Sequence, residues 1–254
     1  MDIIEFYQKQ MDINPNVIDL INRGEKEIYN QLKKIDTMAE YHQSRILMHM
    51  KECRISERHF LPSTGYGYSD ESRDKLDELF AMVFGGEDAL VRPQWVSGTH
   101  VISDALFALL RPGDVLLAIT GKPYDTLEGV IGIGNHKKTP GSLKEWGISY
   151  KQVDLINGNE FDIPRIMEII GKEKVKAVLI QRSRGYEWRD SLSIDKIKQV
   201  IDTIKKQLPE IFVVVDNCYG EFTEEKEPAH VGADLVLGSL IKNPGGGLAP
   251  TGAY

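Results

Sequence analysis

Three stretches of this 254-residue sequence run from apolar residues into side chains able to do chemistry. Phe212-Val213-Val214-Val215 stops at Asp216-Asn217, and Gly232-Ala233-Asp234-Leu235-Val236-Leu237-Gly238 runs into Ser239-Leu240-Ile241-Lys242, ahead of Asn243-Pro244-Gly245-Gly246-Gly247. The short run Ala89 to Arg92 is followed by Ser97-Gly98-Thr99-His100. An unpaired carboxylate at the end of a buried strand is unfavourable, so Asp216 suits a metal, a ribose or a protonated ring nitrogen, or it caps the following turn. Lys242 follows two apolar residues and precedes a proline-glycine loop that forbids helix. Desolvation there is expected to lower its pKa toward the free amine that a Schiff base requires. Ser97-Gly98-Thr99 offers free backbone N–H groups, the positive end of a helix and two hydroxyls to an anion such as phosphate; alternatively Ser97 only caps the helix. Hydroxyls, an acid and an amine at three strand ends favour a functional lysine over a solvated one.

Such groups need alternating strands and helices to position them. Ser72 to Phe84 reads as an amphipathic helix with Leu76, Leu79, Phe80 and Val83 inward, Ala89 to Arg92 as a short strand, and Thr99 to Leu110 as a helix stopped by Arg111-Pro112-Gly113. Strands are expected at Val115 to Ile119, Ile148 to Val153, Ala177 to Gln181, Phe212 to Asp216 and Leu235 to Gly238. Between them come helices near Leu127 to Ile131, after Asp162 and Pro164, and over Ile194 to Leu208, with a polar loop at Asn135 to Gly141. The alternation implies right-handed crossovers and an α/β fold, a three-layer αβα sandwich around a mainly parallel sheet. Ligands bind beyond the carboxyl ends of such strands. Upstream, Asn14 to about Lys51 reads as one helix with Ile28, Leu32, Ile35 and Ala39 at helical spacing. The expected organisation is a helical arm over residues 1–60, lying on its own domain or on a second subunit, and a main domain over 61–254.

Composition narrows the function classes. A formal charge of -7 without a concentrated basic face argues against a nucleic-acid partner; Lys33-Lys34 and Lys137-Lys138 read as solvated surface. Hydrophobic residues make up 41% and charged residues 27%, as in ordinary globular proteins, and no apolar run approaches the ~20 residues needed to cross a bilayer. The N-terminus carries Asp2 and Glu5 and does not read as a signal peptide. Cys53 and Cys218 match no metal or disulfide pattern, and His42, His49 and His59 have no paired ligands, so reduced thiols, no metal site and a cytoplasmic location are expected. Gly132-Ile133-Gly134 lacks the third glycine of a dinucleotide fingerprint, Gly245-Gly246-Gly247 lacks the ending of a P-loop, and no serine-nucleophile elbow is present.

The sequence resembles the pyridoxal-phosphate enzymes of methionine and cystathionine metabolism, and within them the methionine gamma-lyase or aluminium resistance branch. The resemblance runs through HFLPSTGYGYSDESRDKLDELFAMVFGGEDALVRPQWVSGTH (59–100), GKPYDTLEGVIGI (121–133), QRSRGYEWRDSLSI (181–194), VDNCYGEF (215–222) and GADLVLGSLIKNPGGGLAPTGAY (232–254). It implies the large domain of the pyridoxal-phosphate-dependent transferase-like fold and pyridoxal 5'-phosphate as cofactor. Ser97, Gly98 and Thr99 then match the phosphate-binding turn, Ser239 a further phosphate ligand and Tyr124 the ring-stacking tyrosine. Asp216 matches the partner of the ring nitrogen, and Lys242 the lysine that binds the cofactor. Tyr66 and Tyr68 lie in a stretch resembling one that reaches the phosphate of a neighbouring subunit, and the resemblance of Gln181-Arg182-Ser183-Arg184 to a loop near the cofactor oxygen implies such a place for Arg184.

The activity implied is elimination of a thiol from a sulfur amino acid, giving a 2-oxo acid and ammonia. Lys242 would remove the alpha proton, and Tyr124 would either protonate the leaving sulfur or only pack on the ring. A same-fold transferase or a non-catalytic fragment are the alternatives. Relatives continue past the lysine into a smaller domain whose arginine holds the substrate carboxylate, whereas this chain stops at Tyr254. The expectation is a homodimer or homotetramer that is a poor catalyst at this length.

Overall fold

The computed structural model describes residues 3–66, 68, 70–136 and 139–254. Asp2, Gly67 of the tyrosine-bearing stretch and the Lys137-Lys138 pair lie outside them. The chain divides into two compact units, Met1–Arg45 and Ile46–Tyr254.

The first unit holds helix α1 (Ile3–Gln10) and most of α2 (Pro15–Glu52). Asn14 Oδ1 accepts from Asn16 N at 2.9 Å, and Pro15 takes the first helical position, where its missing N–H costs no hydrogen bond. The apolar stripe of α2 is exposed at Val17, Leu20, Ile21, Ile28, Leu32 and Ile35, while Ile18 and His42 are buried.

In the second unit five strands, β1 (Val115–Ala118), β2 (Ser149–Gln152), β3 (Val175–Gln181), β4 (Phe212–Asp216) and β5 (Leu235–Leu237), form a parallel sheet in the order β2-β1-β3-β4-β5. Successive side chains of a strand point to opposite faces, and here both faces are apolar. Leu117, Val178, Ile180, Val213 and Val215 pack with Ile166 and Ile170 of α6 (Ile163–Lys172) and Ile197, Ile201 and Ile204 of α7 (Ile194–Gln207). Their neighbours Leu116, Ala177, Leu179 and Val214 pack with Val101, Ile102 and Leu106 of α4 (Gly98–Leu109) and Leu127 and Ile131 of α5 (Asp125–Ile131). The result is the three-layer αβα sandwich, with the carboxyl ends of all five strands on one edge. Helix starts follow local chemistry: the side chains of Asp70, Ser97, Asp162 and Ser193 each accept a backbone N–H of the first turn.

Three sequence expectations need correction. Ala89 to Arg92 is not a strand; Arg92 makes one antiparallel bridge to Ala253, because Val91 N donates to Asp77 Oδ1 at 2.7 Å instead of to a neighbouring strand. The same Asp77 changes α3 (Glu71–Phe84): it is buried and pairs with Arg92 at 2.7 Å, so Leu76, expected inward, is 38% exposed. Strand β5 ends at Leu237, since Gly238 exchanges both backbone hydrogen bonds with Tyr254; Ser239 bridges to Ala253, and Leu240 to Lys242 follow as a turn.

Candidate functional site

Strand β4 delivers Asp216 into the interior, 6% exposed, with Cys218 N donating to its Oδ1 at 3.1 Å. Burial pushes the Asp216 carboxyl up; hydrogen bonds from Cys218 and the charge of Lys242 oppose this but do not outweigh it. The turn after β5 brings Lys242 to the same place, its Nζ 4.4 Å from the ring centroid of Tyr219. Here the expectation of a depressed lysine is overturned. Burial does lower the Lys242 pKa, but Cys218, Asp216 and Tyr219 raise it further, and the net shift is upward. The segment 216–219 after β4 supplies those opposing groups.

The start of α4 closes on both strand ends. A Cβ on Gly98 would stand 3.0 Å from Cys218 Sγ and 3.5 Å from Ser239 Cβ, a gap that only glycine leaves open. Ser239 is fully buried and its Oγ has no hydrogen-bond partner. Ser97 Oγ accepts from His100 N at 3.3 Å, so its lone pair serves the cap while its proton is uncommitted. Thr99 Oγ1 lies 2.6 Å from Thr126 Oγ1, which ties α4 to the start of α5. At that start Tyr124 N donates to Gln181 Oε1 at 2.7 Å, and the Tyr124 phenol donates to Tyr186 Oη at 2.9 Å. The two rings stack at 5.3 Å, and the hydrogen bond to Tyr186, with burial adding to it, pushes the Tyr124 phenol up to about 12.

Asp216, Lys242, Ser239, Gly98 and Cys218 therefore share one locus, and Thr99 and Tyr124 border it. Arg184 does not join them: it is exposed, with its guanidinium carbon 5.9 Å from the Trp188 ring centroid. Tyr66 and Tyr68 are 82% and 86% exposed. Beneath Asp216 stands a polar cluster that sequence reasoning missed. Arg182 Nη1 donates to Asn217 Oδ1 and Gly220 O, both at 2.8 Å, and lies 3.4 Å from Glu227 Oε2; Arg182 Nη2 reaches Glu224 at 2.8 Å. Glu227 also accepts from Phe222 N at 2.8 Å and Asn217 Nδ2 at 2.9 Å, while Tyr254 donates to Glu221 at 3.0 Å. The available signal was an arginine directly after the apolar strand β3 and the glutamates Glu221, Glu224 and Glu227 close behind β4. Among the described residues no group of three or more His, Cys, Asp or Glu is placed to hold a metal, and no helix is long and apolar enough to cross a membrane.

The methionine gamma-lyase family matches residues 17–254. The chain belongs to this family. YnbB of Bacillus subtilis, an uncharacterized member of the curated proteins, is 52% identical over 230 residues, which make up 91% of this chain and 54% of YnbB. A carbon-sulfur lyase involved in aluminum resistance from Clostridium novyi superposes with a TM-score of 0.93 at 47% identity, covering 100% of this chain and 60% of that one. The pyridoxal-5'-phosphate dependent protein YhfS from Escherichia coli, at 18% identity and a TM-score of 0.59, covers 80% of this chain and 51% of its own and shares the fold. This chain therefore has the α/β fold of that pyridoxal-5'-phosphate dependent protein. The chain spans between half and two thirds of the length of these relatives.

Proposed function

We propose that this chain carries the cofactor site of a pyridoxal-phosphate-dependent carbon-sulfur lyase, of the methionine gamma-lyase or cystathionine beta-lyase type, which releases a thiol from a sulfur amino acid to leave a 2-oxo acid and ammonia. The observation that carries this reading is the meeting of an amine, a buried acid and a fully buried, unpartnered hydroxyl at Lys242, Asp216 and Ser239, beside the opening that Gly98 leaves. These residues fit the cofactor. Ser239 Oγ has a proton to give, the start of α4 presents N–H groups with Thr99 and Ser97 alongside, and among the described residues Asp216 has no cation within ion-pair distance.

When bound, pyridoxal phosphate supplies the electron sink for charge left on the substrate alpha carbon. The chain's residues do the rest. Ser239, Thr99, Ser97 and the Gly98 backbone would bind the phosphate, and Asp216 would hold a proton at the ring nitrogen. Tyr124 would pack on the ring, and Lys242 Nζ would anchor the group and move the proton at the alpha carbon. Tyr124, held protonated by Tyr186, has a proton available for the leaving sulfur.

The reading extends to at least a homodimer acting in the cytoplasm on a small-molecule substrate, with Tyr66 and Tyr68 serving a neighbouring subunit's phosphate. The test is release of 2-oxo acid from methionine, cystathionine, cysteine and homocysteine without a second substrate, on this chain and on a version extended to the length of its relatives. Release from one or more of them supports a lyase. Turnover that needs an amino-group or thiol acceptor points to a transferase of the same fold instead.

A further inference from the structure

Two buried glutamates stand behind Asp216, and they are not equivalent. Glu227 is fully buried and well supplied with donors: Phe222 N, Asn217 Nδ2 and the Arg182 guanidinium all address its carboxylate. Glu221 is 1% exposed and receives the Tyr254 phenol on Oε1, while its Oε2 accepts from no other residue. Arg182, the buried cation of the cluster, already faces Glu227 and Glu224. The other nearby groups, Asp216 and Cys218, add negative charge or none, and Lys242 answers to Asp216, Cys218 and Tyr219. Among the described residues a second buried anion at Glu221 would have no cation of its own, so a carboxyl in that position holds its proton more tightly than a solvated one.

We propose that Glu221 is a positioning residue that stays a neutral carboxylic acid behind Asp216, leaving Asp216 as the anion that meets a cationic ring. The role in the site rests on the reading of Asp216 given above. Geometry links the two: Tyr254, which holds Glu221, exchanges backbone hydrogen bonds with Gly238 next to Ser239, and a Cβ on Gly238 would collide with the Tyr254 ring. Burial pushes the Glu221 carboxyl up to about 7, with Glu227 and Asp216 adding to the rise and Tyr254 and Glu221's own amide opposing it.

The sign of the pH effect follows. A carboxyl raised in the fold from its ordinary value of 4.5 to about 7 contributes stability that is fully present below 4.5 and lost as pH climbs to about 7. Glutamine at this position imitates the neutral acid at every pH. We would therefore measure the Tm of Glu221→Gln and of the wild-type chain across that window without cofactor. The variant should gain on wild type as pH rises through the window, with no further change on either side. A variant that loses most at neutral and alkaline pH, or that does not fold, shows that the anion is needed and overturns the proposal.

A second arm follows the absorbance of added pyridoxal phosphate against pH. The variant and wild-type profiles should coincide on the acid side of the window and diverge through it. Profiles that differ on the acid side, or that coincide throughout, remove the positioning role. If neither protein takes up the cofactor, the reading of the site fails, and with it the positioning role, while the stability arm still decides the proton on Glu221.

Discussion

The floor and the rim of the candidate site are built in opposite ways. At the floor Asp216, Ser239, Glu221 and Glu227 are all buried, and Arg182, 2% exposed, binds the segment from Asn217 to Glu227 through side-chain and backbone acceptors. At the rim Tyr186 is 82% exposed, and Tyr124 is held by one backbone bond to Gln181 and one phenol to Tyr186. The floor lies where water cannot substitute for a lost partner, so each polar group there is costly to disturb. Rim contacts compete with water and are individually weak. Changes at the floor should therefore act on stability or on chemistry by large factors, and changes at the rim by small ones.

Lys242→Ala is the largest expected break, because among the described residues no other amine shares the locus with Asp216. Turnover should fall about 10³-fold or more, within the range for loss of a positioned proton-transfer group, and borohydride reduction with peptide mass mapping should find no tag. A tag carried by Lys122 in the wild-type chain would overturn the assignment; that lysine is paired with Glu128 at 2.6 Å. Arg182→Met comes next. It leaves Glu227 buried without its cation, and denaturant unfolding should show a loss of about 3–5 kcal/mol. A loss no larger than that of an exposed pair such as Arg165 with Glu168 would erase the distinction between floor and rim. Asp216→Ala should leave cofactor binding partly intact through Ser239 and the α4 start, and lower turnover about 100-fold. Near wild-type elimination by that variant would end the role given to Asp216.

The same division explains what could be read from the sequence. The sheet, Asp216, Ser239 and Lys242 were legible because apolar runs ending in polar residues are local patterns. The proton affinity of Lys242 was not, since it is set by Cys218, Asp216 and Tyr219, which lie more than twenty residues earlier in the chain. Nor was the inner face of α3, where Asp77 displaces Leu76 in order to bind Arg92 and Val91 N fifteen and fourteen residues on. Arg182 and Glu227 are separated by 45 residues, and only the return of the chain at β4 makes them neighbours.

The smallest expected effect lies at the rim, at Tyr186. Its hydroxyl accepts from Tyr124 at 2.9 Å and its ring stacks on Tyr124 at 5.3 Å, so two separable contacts hold one functional side chain. Tyr186→Phe removes the acceptor and keeps the ring. Because Tyr186 is 82% exposed, water replaces part of what is lost, and turnover should fall only about threefold, the size of a net hydrogen bond worth roughly 0.6 kcal/mol. The proton should respond more clearly than the rate. The Tyr124 phenol, held up at about 12 chiefly by that hydrogen bond, should titrate nearer its ordinary value of 10.0 in ultraviolet difference spectra. Tyr186→Ala also removes the stacked ring and should lower turnover further. Should Tyr186→Phe leave the phenol titration unchanged while Tyr186→Ala lowers the rate, Tyr124 is placed by ring packing alone. A tenfold or greater loss in Tyr186→Phe would instead mean that this part of the rim is as tightly determined as the floor.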